Sequence, residues 1–266
     1  MNKHNTTKNF IIFIFFLIFN INSQDLEIIT ENNKANQNFP VIKTPKKAIS
    51  VMIDPAGDAQ NTGRIVDDGF ERNLTLQVAQ EIKNYFEYDK SIRIILSRVA
   101  LESLEPLQNI SFANRLNVDF YLNINICQNN PDDKVFRNFD GNKIFIYYHI
   151  LNPISDKWPK KFDDLSLIKI DDIYLKNVSK NIDIANSFSK SLKNFSKKIS
   201  VMSPIGVPLK ELIGLKSPAL SCEIIVSSKS DIKDFIEPIC QALKQITDQV
   251  IIAINPNITH WIAYEK

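Results

Sequence analysis

The chain has 266 residues, of which 44% are hydrophobic and 23% are charged. This length and composition can bury one sizeable core and favour one globular domain over two. Lys and Arg total 32 against 30 Asp and Glu, so the charge balance indicates no nucleic-acid partner. Three scattered cysteines exclude a disulfide framework and a CxxC zinc pattern. At most one bridge can form, and buried thiols are the expected state.

The first 23 residues have the pattern of a secretory signal. Lys3 and Lys8 precede the uncharged run "FIIFIFFLIF", and the polar "NINSQ" follows it. The ten apolar residues are about half of the roughly 20 that a membrane-spanning helix needs. We therefore predict cleavage after Ser23 and export to the periplasm or cell envelope, with no stable membrane span afterwards. An uncleaved anchor is the alternative, because Ile21 and Ser23 form an imperfect small-residue cleavage site.

Residues 24–47 are polar and aperiodic, which predicts a linker, and residues 255–266 are predicted to form a tail. Between them, residues 48–254 alternate apolar strands with amphipathic helices. This rhythm predicts a single α/β domain whose mostly parallel or mixed central sheet has helices on both faces. The predicted strands are residues 48–54, 92–98, 118–126, 143–150 and 218–226. The predicted helices are marked by apolar positions within residues 70–86, 104–116, 178–195 and 232–250.

Four segments carry polar residues at the boundaries or in the interior of these elements. "DPAGDAQNTG" follows the first strand, and "FERNLTLQVA" opens the first helix. "SRVALESLEPLQNISFANRLNVDFYLNINI" spans the middle of the domain, and "PALSCEII" forms a late strand. Within that last segment, Glu223 interrupts an otherwise apolar strand. An ionised carboxylate at such a position must be paired or face a cleft.

In order and spacing, the four segments resemble the zinc-dependent N-acetylmuramoyl-L-alanine amidases of bacterial cell walls. In that family the first strand ends in Asp-Pro-Gly-His-Gly-Gly and the helix opens with a Glu. A middle strand ends in Ser-Ile-His, and a late strand carries Val-Glu. The resemblance covers roughly Ala48 to Ala253. It implies the amidase fold and action on the bond between N-acetylmuramic acid and L-alanine.

Carried across residue by residue, the three zinc ligands of the family fall on Gly57, Glu71 and Asn125. Glu71 is the remaining ligand position, whereas Gly57 and Asn125 occupy the two lost histidine positions. The catalytic carboxylate of the family falls on Glu223, which is therefore either vestigial or active. The resemblance also implies substrate-binding roles for Arg98 and Asn114. A catalytic zinc is normally held by about three protein ligands, so no cofactor is expected here.

The resemblance and the missing histidines lead to three functional hypotheses. The first is an exported, catalytically degenerate amidase-like protein that binds peptidoglycan or a cell-envelope protein. The second is an active amidase that hydrolyses the same amide bond with zinc in a rearranged site, such as Asp58, Glu71 and Cys127. The third is a non-catalytic envelope scaffold. Restoring histidine at Gly57 and Asn125 is predicted to create a zinc site that uses Glu71.

The retained acidic residues also have purely structural interpretations. Asp54, at a strand end before a proline, is predicted to stabilise the turn by bonding nearby backbone amides. Glu71 lies in the first turn of its predicted helix, where a negative charge complements the helix dipole. Neither residue by itself therefore indicates a metal site.

Overall fold

The computed structural model describes residues 48–104, 107–129, 141–150 and 170–254. Within the last range, side chains are described for residues 177–247. The described residues all belong to one compact unit. The predicted signal, linker and tail lie outside the described residues and stay predictions.

The described residues form nine strands and four α-helices. The strands are β1 (Ile49–Pro55), β2 (Ile65–Val66), β3 (Gly69–Phe70), β4 (Ile92–Leu96), β5 (Phe120–Gln128), β6 (Lys143–His149), β7 (Ser200–Val201), β8 (Ile205–Val207) and β9 (Ala219–Val226). The helices are α1 (Glu71–Tyr85), α2 (Gln108–Leu116), α3 (Ile170–Phe195) and α4 (Lys233–Ile254). Two short 3₁₀ helices, Lys210–Leu212 and Lys229–Ile232, lie on either side of β9.

Seven strands form one mixed sheet in the order β4, β1, β5, β9, β6, β7, with β8 also paired to β6. The pairs β1–β4, β1–β5 and β5–β9 are parallel, and β6–β9 is antiparallel. Strands β2 and β3 form a separate small hairpin. The carboxyl ends of β1, β5 and β9 therefore lie at the same edge of the sheet, where ligands bind in open α/β sheets.

Helices cover both faces of the sheet. Because side chains alternate along a strand, Val51 and Ile53 of β1 point to one face and Met52 points to the other. The first face packs against α1, α3 and α4 in the main hydrophobic core, which includes Phe188 and Phe235. Met52 belongs to a smaller core with Ile110 and Ala113 of α2 and with Tyr121 of β5. The predicted single-domain α/β class with helices on both faces is confirmed.

The structure shifts several predicted boundaries. Helix α2 begins at Gln108 rather than near Leu104, because Leu107 has a left-handed φ of 64° that a right-handed helix cannot contain. Strand β5 begins two residues later than predicted, at Phe120, because Asn117 is also left-handed and residues 117–119 complete the turn from α2. Strands β2, β3, β7 and β8 have only two or three residues each, too few to give a detectable alternation.

The three cysteines, Cys127, Cys222 and Cys240, are buried and unbridged. This agrees with the expectation of buried thiols, which pack as small apolar side chains. Among the helices within the described ranges, none combines the length and apolar character needed to cross a membrane.

Candidate functional site

A polar cleft of about 340 Å³ opens at the carboxyl ends of β1 and β5. Gly57, Glu71 and Asn125 all line it, so the structure brings together the three positions that the resemblance aligned with zinc ligands. Glu223 is the partner of Asn125 in the parallel pairing of β5 with β9. These four positions come from a loop, a helix terminus and two neighbouring strands.

The loop from residue 56 to residue 64 forms one wall of the cleft. Gly57 and Gly63 have φ values of 80° and 70°, which L-residues rarely adopt. Asp58 orders this loop because its carboxylate accepts hydrogen bonds from the backbone amides of Gln60, Asn61 and Leu104. These hydrogen bonds, with that from Asn61 the strongest influence, hold the pKa of Asp58 below its usual value. In this structure Asp58 therefore stabilises the conformation of the loop.

Glu71 is the first residue of α1, as its position in the sequence predicted, and its side chain is buried. Its carboxylate accepts hydrogen bonds from the backbone amide of Ile126 at 2.9 Å and from that of Arg64 at 3.0 Å. The guanidinium of Arg64 adds two more, from Nε at 3.2 Å and from Nη2 at 2.9 Å. Arg64 was not among the sequence-predicted site residues.

The same guanidinium reaches a second carboxylate. Nη1 of Arg64 donates to Oε1 of Glu223 at 2.5 Å, so one cation joins α1 to β9. Burial alone would lower the pKa of Arg64, but the hydrogen bonds that it donates to Glu71 and Glu223 outweigh this effect and raise the pKa. Because an arginine side chain is not deprotonated in proteins, Arg64 carries a positive charge at this site.

Glu223 lies on the same face of the sheet as Asn125 but is not among the described residues that line the cleft, and its side chain is 19% exposed. Its other oxygen accepts a hydrogen bond from the hydroxyl of Tyr147 at 3.1 Å, and the thiol of Cys127 lies 4.0 Å from Oε1. Burial and the adjacent Glu223 carboxylate raise the pKa of Tyr147, so its hydroxyl stays protonated and can keep donating. The interruption of the apolar strand is therefore explained by a paired carboxylate.

Asp54 differs from the prediction that it stabilises the turn through backbone amides. Its buried carboxylate accepts hydrogen bonds from side chains instead. These donors are Ser97 at 2.6 Å, Asn109 at 2.6 Å, Tyr121 at 2.6 Å and Asn123 at 3.2 Å. Because they come from the loop after β4, from α2 and from β5, no local pattern around Asp54 could reveal them. Asp54 joins β1 to β5 and to the start of α2.

Amide side chains continue this polar network toward Glu223. The amide nitrogen of Asn125 donates to Oδ1 of Asn123 at 2.6 Å and to the hydroxyl of Ser221 at 3.2 Å. Ser221 in turn donates to the same Oδ1 of Asn123 at 2.8 Å. The three residues occupy alternate positions on β5 and β9, so their side chains share one face of the sheet.

Arg98 and Asn114 lie beside this site, and neither is among the described residues that line the cleft. Asn114 links α2 to the loop before β9, donating to the carbonyl of Gly214 at 2.8 Å and accepting from the amide of Lys216 at 2.9 Å. Arg98 is buried against the end of β1. The hydrogen bonds of Asn114 are with backbone groups, and so are those of Arg98 except for one of 3.5 Å to the hydroxyl of Thr75. A role in substrate binding stays a prediction for both.

Arg98→Lys is expected to lower the free energy of unfolding by about 1 to 3 kcal/mol. Nε of Arg98 donates to the carbonyl of Pro55, and Nη2 donates to the carbonyls of Ala56 and Arg72. A single ammonium group cannot reproduce this fork. Urea denaturation measures the loss, with Arg93→Lys on the exposed side of β4 as the matched control. Weakened ligand binding at unchanged stability would instead support direct contact of Arg98 with substrate.

The donors at the cleft do not fit a zinc ion. Gly57 supplies no side-chain ligand, Asn125 supplies a neutral amide, and both carboxylates already accept hydrogen bonds from Arg64. Zinc selects imidazole, thiolate and carboxylate ligands, usually with three of them from the protein at a catalytic site. In the part of the chain that the structure describes, no group of three or more His, Cys, Asp and Glu side chains could hold a metal ion.

The chain was compared with family models, with curated proteins and with solved structures, and only the solved structures gave matches. No family model matches the chain, and no curated protein matches it. The catalytic domain of CwlV, an N-acetylmuramoyl-L-alanine amidase from Bacillus (Paenibacillus) polymyxa var. colistinus, superposes with a TM-score of 0.52 at 14% identity, covering 75% of this chain and 98% of that domain.

Two further amidases are similar to the same extent. The N-acetylmuramoyl-L-alanine amidase from Clostridium difficile 630 gives a TM-score of 0.53 at 16% identity, covering 76% of this chain and 98% of that one. AmiC2 of Nostoc punctiforme gives 0.52 at 15% identity, covering 77% and 97%. The described chain therefore has the fold of the catalytic domains of N-acetylmuramoyl-L-alanine amidases.

Proposed function

We propose that this protein is an exported member of the amidase fold that binds peptidoglycan without hydrolysing it. The observation that carries this proposal is the ion-pair cluster of Arg64, Glu71 and Glu223. Zinc amidases need a metal-bound water, and one of their carboxylates must be available to take its proton. In this chain both carboxylates are engaged by the same guanidinium. The cleft lies at the carboxyl ends of the strands, but neither Glu71 nor Glu223 is free to take a proton from water.

The chemistry of the cleft favours a ligand rich in amide and hydroxyl groups. Its lining includes the amide side chains of Asn61, Gln108, Asn109, Asn123 and Asn125. Amide side chains both donate and accept hydrogen bonds, as peptide and sugar groups do. Lys210 and Glu211 add one charge of each sign at the rim, matching a muropeptide that carries both amines and carboxylates. The solved structures with this fold are named as amidases of N-acetylmuramoyl-L-alanine, which supports the same ligand class.

Purified protein is expected to co-sediment with sacculi, to contain well under one equivalent of zinc, and to release no L-alanine-linked peptides. The double variant Lys210→Ala with Glu211→Ala should weaken sacculus binding by about 10-fold, as loss of one or two charge-assisted hydrogen bonds implies. Lys83→Ala with Glu87→Ala is the matched control, because it removes the same charges at the far end of α1.

Two results would contradict this function. One equivalent of zinc with chelator-sensitive release of peptides would establish the active amidase. Failure to sediment with sacculi under any salt condition would leave the envelope scaffold as the remaining hypothesis. Sedimentation, metal analysis and product analysis on one preparation therefore separate all three hypotheses.

A further inference from the structure

The carboxylate of Glu71 has its acceptor positions filled. An ionised carboxylate offers about four lone-pair sites. Oε1 accepts from the amide of Ile126 and from Nη2 of Arg64, and Oε2 accepts from the backbone amide and Nε of Arg64. All four sites are therefore occupied by protein donors, three of which belong to one residue. A metal ion could bind Glu71 only by displacing Arg64.

The backbone of residues 63 and 64 also packs against Glu71 and so positions the Arg64 side chain. The carbonyl of Arg64 accepts the backbone amide of Glu71 at 2.8 Å, which satisfies an otherwise unpaired donor at the start of α1. The backbone of Gly63 lies so close to Glu71 that a Cβ at residue 63 would be 2.7 Å from Oε2 of Glu71. Glycine suits this position for two reasons: it has no Cβ to collide with Glu71, and it readily adopts the positive φ found here. The backbone and the guanidinium of Arg64 therefore both form hydrogen bonds with Glu71.

We propose that the guanidinium of Arg64 is the resident cation of this site, joining Glu71, which lines the cleft, to Glu223 in place of a divalent metal ion and keeping metal out. The bidentate fork of arginine suits a carboxylate, and its spare Nη1 reaches the second one. This role concerns the ion within the cleft and holds whether or not the cleft binds peptidoglycan.

Removal of Arg64 would leave a set of oxygen atoms that could act as metal ligands. The two carboxylates would lose their common cation, and their mutual repulsion would favour capture of another one. With the amide of Asn125 beside them, the available ligands are oxygens, which suit Mn²⁺, Mg²⁺ or Ca²⁺ better than Zn²⁺. An imidazole at position 125 would shift the preference toward Zn²⁺, because imidazole is a better zinc ligand than an amide.

The test measures thermal unfolding in chelator, in millimolar Mn²⁺ and in millimolar Zn²⁺. In chelator, Arg64→Met is expected to melt about 5 to 10 °C below the wild-type chain, because two carboxylates lose their partner. Mn²⁺ should recover much of this loss, and in Arg64→Met with Asn125→His the larger recovery should come from Zn²⁺. The wild-type chain and the exposed control Arg93→Met should show no response to either ion.

Several outcomes would overturn the proposal. One is a folded Arg64→Met variant that melts like Arg93→Met and ignores metal. Another is stoichiometric binding of Zn²⁺ or Mn²⁺ by the wild-type chain in calorimetry, a measurement that stays decisive even if Arg64→Met fails to fold. Addition of Glu223→Gln to Arg64→Met should abolish the Mn²⁺ response, and a response that persists would place the ion elsewhere.

Discussion

Asp54→Ala is expected to lower the free energy of unfolding by about 3 to 5 kcal/mol, because it leaves several buried donors without an acceptor. The carboxylate of Asp54 is the common acceptor for the side chains of Ser97, Asn109, Tyr121 and Asn123. Asp54→Asn should cost nearly as much, since an amide nitrogen would face donors. Urea denaturation followed by circular dichroism measures both losses.

Tyr121→Phe is the matched control, because it removes a single donor to Asp54 and keeps the buried ring. It should cost about 1 to 2 kcal/mol. If Asp54→Ala were no more destabilising than Tyr121→Phe, the role of Asp54 as the common acceptor would be wrong.

Burial raises the pKa of Asp54 above 3.8, and the hydrogen bonds from Ser97, Tyr121 and Asn123 offset only part of that effect. Between 3.8 and the folded-state pKa, the folded protein holds a proton that the unfolded chain has released. The contribution of Asp54 to the free energy of unfolding therefore declines as the pH rises through this interval. The Asp54→Ala variant should lack this component of the pH dependence.

Gly57→Ala is expected to lower the free energy of unfolding by about 2 to 4 kcal/mol, through backbone strain and steric overlap together. The φ of Gly57 is 80°, and a Cβ at this residue would lie 2.7 Å from Cβ of Arg72 and 2.9 Å from the carbonyl oxygen of Asn61. Gly141→Ala is the matched control, because its φ of 73° is similar but, apart from its chain neighbours, no atom of the described residues lies within 4 Å of the added Cβ. The control should cost about 1 kcal/mol.

This strain changes the expected outcome of restoring both histidines. A histidine at position 57 must first displace Arg72 or the backbone of Asn61, and Arg64 still occupies the carboxylates. Gly57→His with Asn125→His is therefore expected to destabilise the protein and to bind less zinc than Arg64→Met with Asn125→His. Calorimetric titration of both double variants makes the comparison. Tighter zinc binding by the variant that retains Arg64 would contradict the assignment of Arg64 as the competing cation.

The sequence was sufficient for the fold class and for the neighbourhood of the cleft. The alternation of apolar strands with amphipathic helices predicted the α/β sheet, because each element must bury one face. Boundaries were less accurate where left-handed residues such as Leu107 and Asn117 ended or delayed an element. The resemblance of the four segments to the amidase family also implied that Gly57, Glu71, Asn125 and Glu223 lie near one another, as the structure shows.

The sequence by itself also determined which donors the cleft lacks, since a glycine has no side chain and an asparagine has no imidazole at any conformation. Only the tertiary structure decided what replaces them. Arg64 and Glu223 are 159 residues apart, and they meet because β5 lies between β1 and β9 while two left-handed glycines turn the loop back onto α1. Hydrogen-bond partners at such separations depend on strand order and loop conformation, which local patterns do not encode. For the same reason the four donors to Asp54 became apparent only in the folded chain.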